Sequence, residues 1–128
     1  MFLRVAMLLQ TLALLVQAVT AGLLLSSPGG RELHGASAVA VVVTVLLHLV
    51  AAIMTRRLAV IMPAAGMLVL TLVQAALGMA HAKVLHVPIG VLMFGGSMLQ
   101  LGRVWTGRLD RAPAGTTNGS TGGVRAAT

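Results

Sequence analysis

Four long apolar runs, each almost free of charge, constrain this chain more than any other feature of its sequence. They fall near residues 2–25, 35–55, 58–80 and 85–106. Each can cross the roughly 30 Å hydrocarbon core as a helix of about 20 residues. A soluble domain needs a polar face on every element, with about a quarter of its residues charged. Here 9% are charged and 58% hydrophobic, and mean hydropathy is +1.00, so there is too little polar surface to cover a core in water.

The breaks between the runs are short, and the first is a cluster of turn formers and charges. Ser26-Ser27-Pro28-Gly29-Gly30-Arg31-Glu32 is the first, Thr55-Arg56-Arg57 the second and Ala80-His81-Ala82-Lys83-Val84 the third. Links of this length place consecutive helices antiparallel. The expected fold is all-α, an integral membrane up-down four-helix bundle over residues 1–106. Pro88 is expected in the first turn of the last helix, where its missing N–H costs little. The first run is longer than a signal-peptide core and is expected to stay as a span rather than be cleaved before Ser26. Residues 107–128 hold too few apolar side chains to pack and read as a disordered cytoplasmic tail.

A net charge of +7 would suit a nucleic-acid binder, but the basic residues sit between apolar runs instead of along one helix face. Their distribution is a topology signal. Arg4, Arg56, Arg57, Arg103, Arg108, Arg111 and Arg125 fall on one side, against Arg31 and Lys83 on the other. The positive-inside rule makes the first side cytoplasmic, with both termini inside a bacterial plasma (inner) membrane. Phe2 and Trp105 lie at that same interface, as aromatic anchors do, and the basic tail suits anionic lipid. The absence of cysteine excludes disulfides, thiolate metal sites and a Cys nucleophile. No acid–base–nucleophile set can be assembled for hydrolysis, and no catalytic residue is assigned.

The two helix pairs resemble each other. Gln17 precedes Gly22, an outer loop and Leu33-His34; Gln74 precedes Gly78, an outer loop and Leu85-His86. Both pairs run in the same direction, as parallel repeats about an axis along the membrane normal would. Chance similarity between leucine-rich helices is the alternative.

Ionisable residues inside a bilayer are costly, which makes the histidines functional candidates. His34 and His86 each open a helix at the outer side, on helices two and four, which lie on a diagonal of roughly 11–14 Å. Two inward imidazoles across that gap can hold one metal, and haem iron takes axial histidine. Gly90, one turn after His86, and Ala38, one turn after His34, leave space for a porphyrin face. Gln17 and Gln74 are expected either to glue helices or to line the cofactor pocket. For each histidine alone the competing reading is a polar residue at a helix start. His48 lies about 21 Å along the helix from His34, with Gln100 and not histidine at the matching place on helix four. It is expected to hydrogen-bond across helices. His81 reads as a wet loop residue, within reach of a haem propionate beside Arg31 or Lys83.

The order Gln, Gly, outer loop and Leu-His at a helix start resembles the heme A synthase family over about residues 10–105. It also resembles small bacterial four-helix membrane proteins with the same two histidine positions. The synthase family has two four-helix halves, each with a histidine pair near the outer side; one half holds haem b and the other receives the haem substrate. The resemblance implies that this chain corresponds to one half, with His34 and His86 as axial ligands of haem b. The family's catalytic half often has an outer-loop cysteine pair and a Glu three residues before its first histidine. Here there is no cysteine, and Glu32 comes two residues before His34. The resemblance thus implies a haem-binding half more than an enzyme, acting in electron transfer or haem handling. The alternative is a small membrane subunit or transporter-like protein without a cofactor; against a proton-coupled exporter, no carboxylate lies within a span. Expected partners are the lipid bilayer, haem, and a second copy or a larger membrane complex. Reporter fusions check the orientation: a reporter active only in the cytoplasm is expected to work after Arg57 and fail after Gly29.

Overall fold

The computed structural model describes residues 1–107, with Leu25 in its backbone only. The tail expected over 107–128 therefore lies, apart from Gly107, outside the described residues. Four helices follow one another: α1 Phe2–Ser26, α2 Gly30–Met54, α3 Leu58–Met79 and α4 Lys83–Trp105. All four are long and apolar enough to cross a membrane. The run Val39-Ala40-Val41-Val42-Val43-Thr44-Val45 in α2 has the β-branched content of a strand. It is helical because hydrocarbon offers no partner to backbone polar groups, and a helix satisfies all of them locally.

The helices form a ring in which α1 meets α2 and α4, and α3 meets α2 and α4. The diagonals α1–α3 and α2–α4 do not touch at the backbone. The side-chain distribution is that of a lipid-facing bundle. Val39, Leu72 and Leu92 point outward with 60–71% of their surface open, while Ala51, Ala52 and Ala64 are sealed inside. Between helices in lipid there is little hydrophobic drive, so small side chains that permit close approach and polar ones that hydrogen-bond occupy the interior.

The interior is layered along the bundle axis. At the arginine-bearing end, Ala52, Val60 and Ala64 pack with Leu3, Leu49 and Ile61. Next comes a polar layer of Gln10, Thr11, His48 and Ser97. An apolar layer of Leu14, Val41, Val45, Met67 and Met93 fills the middle. A second polar layer, containing His34 and His86, closes the far end.

Two helices begin earlier than their hydropathy suggests. The α2 helix starts at Gly30 instead of residue 35, because the α1–α2 link is tighter than its seven turn-forming and charged residues imply. Gly30 donates its N–H to the Ser27 carbonyl at 3.1 Å, and its Cα lies against the backbone of Leu23 and Leu24. A Cβ there would come within 2.6 Å of Leu24 Cα. Glu32 then falls in the first turn, where the helix dipole favours a negative charge. His34 accordingly sits in the second turn of α2, not at its opening. The α4 helix starts at Lys83 instead of 85, so Pro88 lies inside the helix and not in its first turn as expected. Its missing N–H removes the usual partner of the Val84 carbonyl.

The α3–α4 turn is held in a Schellman arrangement. Ala82 N–H bonds the Leu77 carbonyl at 3.0 Å, and His81 N–H bonds that of Gly78 at 3.2 Å. This places His81 in the left-handed region at φ 56°, a position glycine normally takes. Two substitutions test these turns by thermal unfolding in detergent. His81→Gly is expected to stabilise by about 1 kcal/mol. Gly30→Ala is expected to lower the melting temperature clearly, whereas Gly35→Ala, with open space around its Cβ, is tolerated.

Candidate functional site

The site at the far end is built by one polar side chain per turn on facing helices. Gln17 and Thr20 are three residues apart on α1, and His34 and Ser37 three apart on α2, so each pair shares a helix face. The Gln17 amide donates from Nε2 to His34 Nε2 at 3.2 Å, and Thr20 Oγ1 lies 3.3 Å from His34 Nδ1. Ser37 donates to Gln17 Oε1, which orients the amide with its NH₂ toward the imidazole. Thr20 and Ser37 hydroxyls meet at 2.8 Å. An amide nitrogen can only donate, so His34 Nε2 is the acceptor and Nδ1 carries the proton.

The second half places its histidine by a reciprocal pair of bonds between α3 and α4. His86 Nδ1 donates to the Gln74 backbone carbonyl at 3.1 Å, and Gln74 Nε2 donates to the His86 carbonyl at 2.9 Å. A carbonyl only accepts, so His86 too carries its proton on Nδ1. Its Nε2 takes no hydrogen bond among the described residues. Both imidazoles are therefore in the tautomer that leaves Nε2 with a lone pair, oriented by a partner on the other nitrogen as metal-ligating histidines are.

Although α2 and α4 do not touch at the backbone, these two rings meet across the diagonal. Their centroids are 6.3 Å apart with the planes at 67°. Two metal–nitrogen bonds of about 2.0–2.1 Å, with roughly 1 Å more from each nitrogen to its ring centre, place centroids about 6 Å apart. The centroid spacing is of the size that two imidazoles sharing one metal would have, while His34 Nε2 itself is turned to the Gln17 amide. Among the described residues no three His, Asp or Glu side chains converge. A bare ion would find two protein donors here, whereas a macrocycle brings its own equatorial donors and needs only axial ones.

Gly90 and Gly78 both make room on this side. A Cβ on Gly90 would come 3.0 Å from Gln74 Nε2, so its bare backbone houses the Gln74 amide. A Cβ on Gly78 would lie 3.5 Å from His86 Cε1. Gln74 Oε1 is buried without a hydrogen-bond partner among the described residues. An orphaned acceptor at such a site calls for a donor such as water or a ligand.

The other two histidines lie apart from this pair. His81 is exposed in the α3–α4 turn. His48 is 1% exposed and bonds across helices as its position suggested, with Nδ1 2.7 Å from Gln10 Oε1 on α1. Gln10 passes the network on to Ser97 of α4 at 3.2 Å, and Ser97 meets Thr11 at 2.7 Å. Sequence reasoning did not single out Thr20, Ser37, Gln10, Thr11 or Ser97. For Thr20 and Ser37 the signal was present, since each stands one turn after a residue already chosen.

The inner network generates a test by unfolding in detergent. Gln10→Leu leaves the His48 Nδ1–H unpaired in the bundle and is expected to cost about 1–3 kcal/mol. The double variant Gln10→Leu/His48→Phe removes both partners and is expected to recover part of that loss.

Comparison of this chain with family models, with curated proteins and with solved structures finds no match.

Proposed function

We propose that this chain is a membrane haem-b-binding protein in which His34 and His86 would hold the haem iron. The observation that carries the reading is the meeting of these imidazoles across the α2–α4 diagonal at 6.3 Å, each with its proton on Nδ1. Held by two histidines, haem would supply one-electron redox chemistry, which suits electron transfer or haem handling. The resemblance to one half of the heme A synthase family agrees with this assignment.

The surrounding residues have defined tasks in this reading. The Gln74 carbonyl holds the His86 ring by Nδ1 and raises the basicity of Nε2. Thr20 does the same for His34. Gln17 occupies His34 Nε2 and must release it for ligation, so its amide acts as a placeholder. Once released, that amide can donate instead to a ligand carboxylate or to water. Gly78 and Gly90 keep Cβ atoms away from His86 and Gln74. The apolar layer below, from Leu14 to Met93, shields the site from the opposite face. In a bacterial plasma membrane with the arginine-bearing end in the cytoplasm, the histidine pair lies near the outer surface.

An absorption spectrum of the purified protein tests the proposal. Expression with ample haem is expected to give a Soret band and sharp reduced bands, both lost in His34→Ala and in His86→Ala. Gln17→Leu is expected to keep the spectrum, because it removes the competitor for Nε2, and His81→Ala to leave it unchanged. A colourless protein, or a spectrum indifferent to both ligand substitutions, would overturn the reading in favour of a cofactor-free subunit.

A further inference from the structure

The arginine-bearing end of the bundle contains a cavity of about 220 Å³ between the start of α1, the α2–α3 turn and the last turn of α4. Leu3, Arg4, Thr55, Arg57, Val60 and Val104 line it. A second cavity of about 40 Å³ shares the Val60 and Val104 walls and runs inward past Arg103 and Gln100 to His48. The lining has two characters. Guanidinium groups stand at the rim, and Leu3, Val60 and Val104 form an apolar wall. Phe2 and Trp105, at the ends of α1 and α4, are 47% and 61% exposed and mark this level as a membrane interface.

Charge and polarity together select the ligand. Guanidinium forks match the paired oxygens of a phosphate. A small hydrophilic anion would use only the rim and leave the apolar wall in water. A zwitterionic headgroup would carry a cation into a zone that already holds Arg4, Arg56, Arg57 and Arg103. We propose that this cavity binds the headgroup phosphate of an anionic phospholipid. Arg4 holds the phosphate, and Leu3, Val60 and Val104 receive the glycerol and the first methylenes. Basic recesses between transmembrane helices favour this class of ligand. The site lies at the other end of the bundle from the histidine pair and does not depend on haem.

Native mass spectrometry of the full chain released from detergent tests the assignment, with phosphatidylglycerol, phosphatidylcholine and inorganic phosphate as separate probes. One retained phosphatidylglycerol is expected, with much weaker retention of phosphatidylcholine. Arg4→Gln is expected to weaken phosphatidylglycerol binding about five-fold. Arg56→Gln, of equal charge change but outside the cavity lining, is expected to keep it within about two-fold, because exposed charge alone is screened. Circular dichroism confirms that both variants remain helical. Equal binding of phosphatidylcholine overturns the proposal. So does inorganic phosphate competing the lipid off at equal concentration, which marks a free-anion site. Equal weakening by Arg4→Gln and Arg56→Gln also overturns it, because attraction is then diffuse.

Discussion

Inside a bilayer a polar side chain has no water to fall back on, and the rest of this structure depends on that constraint. Gln10, 1% exposed, can satisfy its amide only by reaching His48 on α2 and Ser97 on α4. One side chain of α1 thereby sets the register of two neighbouring helices. Gln17 and Thr20 repeat the device beyond the intervening apolar layer, against His34 and Ser37. Leucine and valine contacts cannot do this in lipid, since an apolar side chain gains little by leaving a lipid tail for another helix. Polar bonds select the register, and small residues such as Ala52 and Ala64 let the helices close around them.

The two halves of the chain answer the constraint differently. In the first half a glutamine side chain bonds the histidine ring directly; in the second it bonds the histidine backbone, and the ring bonds the glutamine backbone. Both solutions leave the proton on Nδ1, by different routes. Deeper in the bundle the likeness fades. Gln10 corresponds to Met67 and His48 to Gln100, so the inner polar layer is centred on α1 and α2 while the histidine layer draws on all four helices. The layer that retains its symmetry is the one proposed to hold the cofactor.

Much of the fold could be read directly from the residues. Four spans, their antiparallel order and the two-pair organisation follow from hydropathy and short links. Helix starts were less legible. Gly30-Arg31-Glu32-Leu33 looks like loop by composition, yet it is helical, because Gly30 fits against the backbone of Leu23 and Leu24 and lets α2 begin at once. Pro88 misled in the same way, since a helix can carry proline in its second turn where an unpaired carbonyl lies near the membrane surface. Of the site, His34, His86, Gln17 and Gln74 were chosen for their repeat and Gly90 for standing one turn after His86, and all five are at the histidine layer. Thr20 and Ser37 escaped because hydroxyls in apolar helices usually bond their own backbone, as Thr44 and Thr71 do.

By itself the sequence determined the medium, the number of spans and the depth of each polar residue. Transfer free energy depends on composition along the axis, and helix rise converts residue number into depth. Only the tertiary structure decided which polar residues meet at a given depth and which ring nitrogen each histidine presents. Those outcomes depend on the rotation of each helix about its axis. Apolar helices that look alike from every side carry little record of that rotation until polar partners such as Gln10 and His48, or Gln17 and His34, are brought within bonding distance.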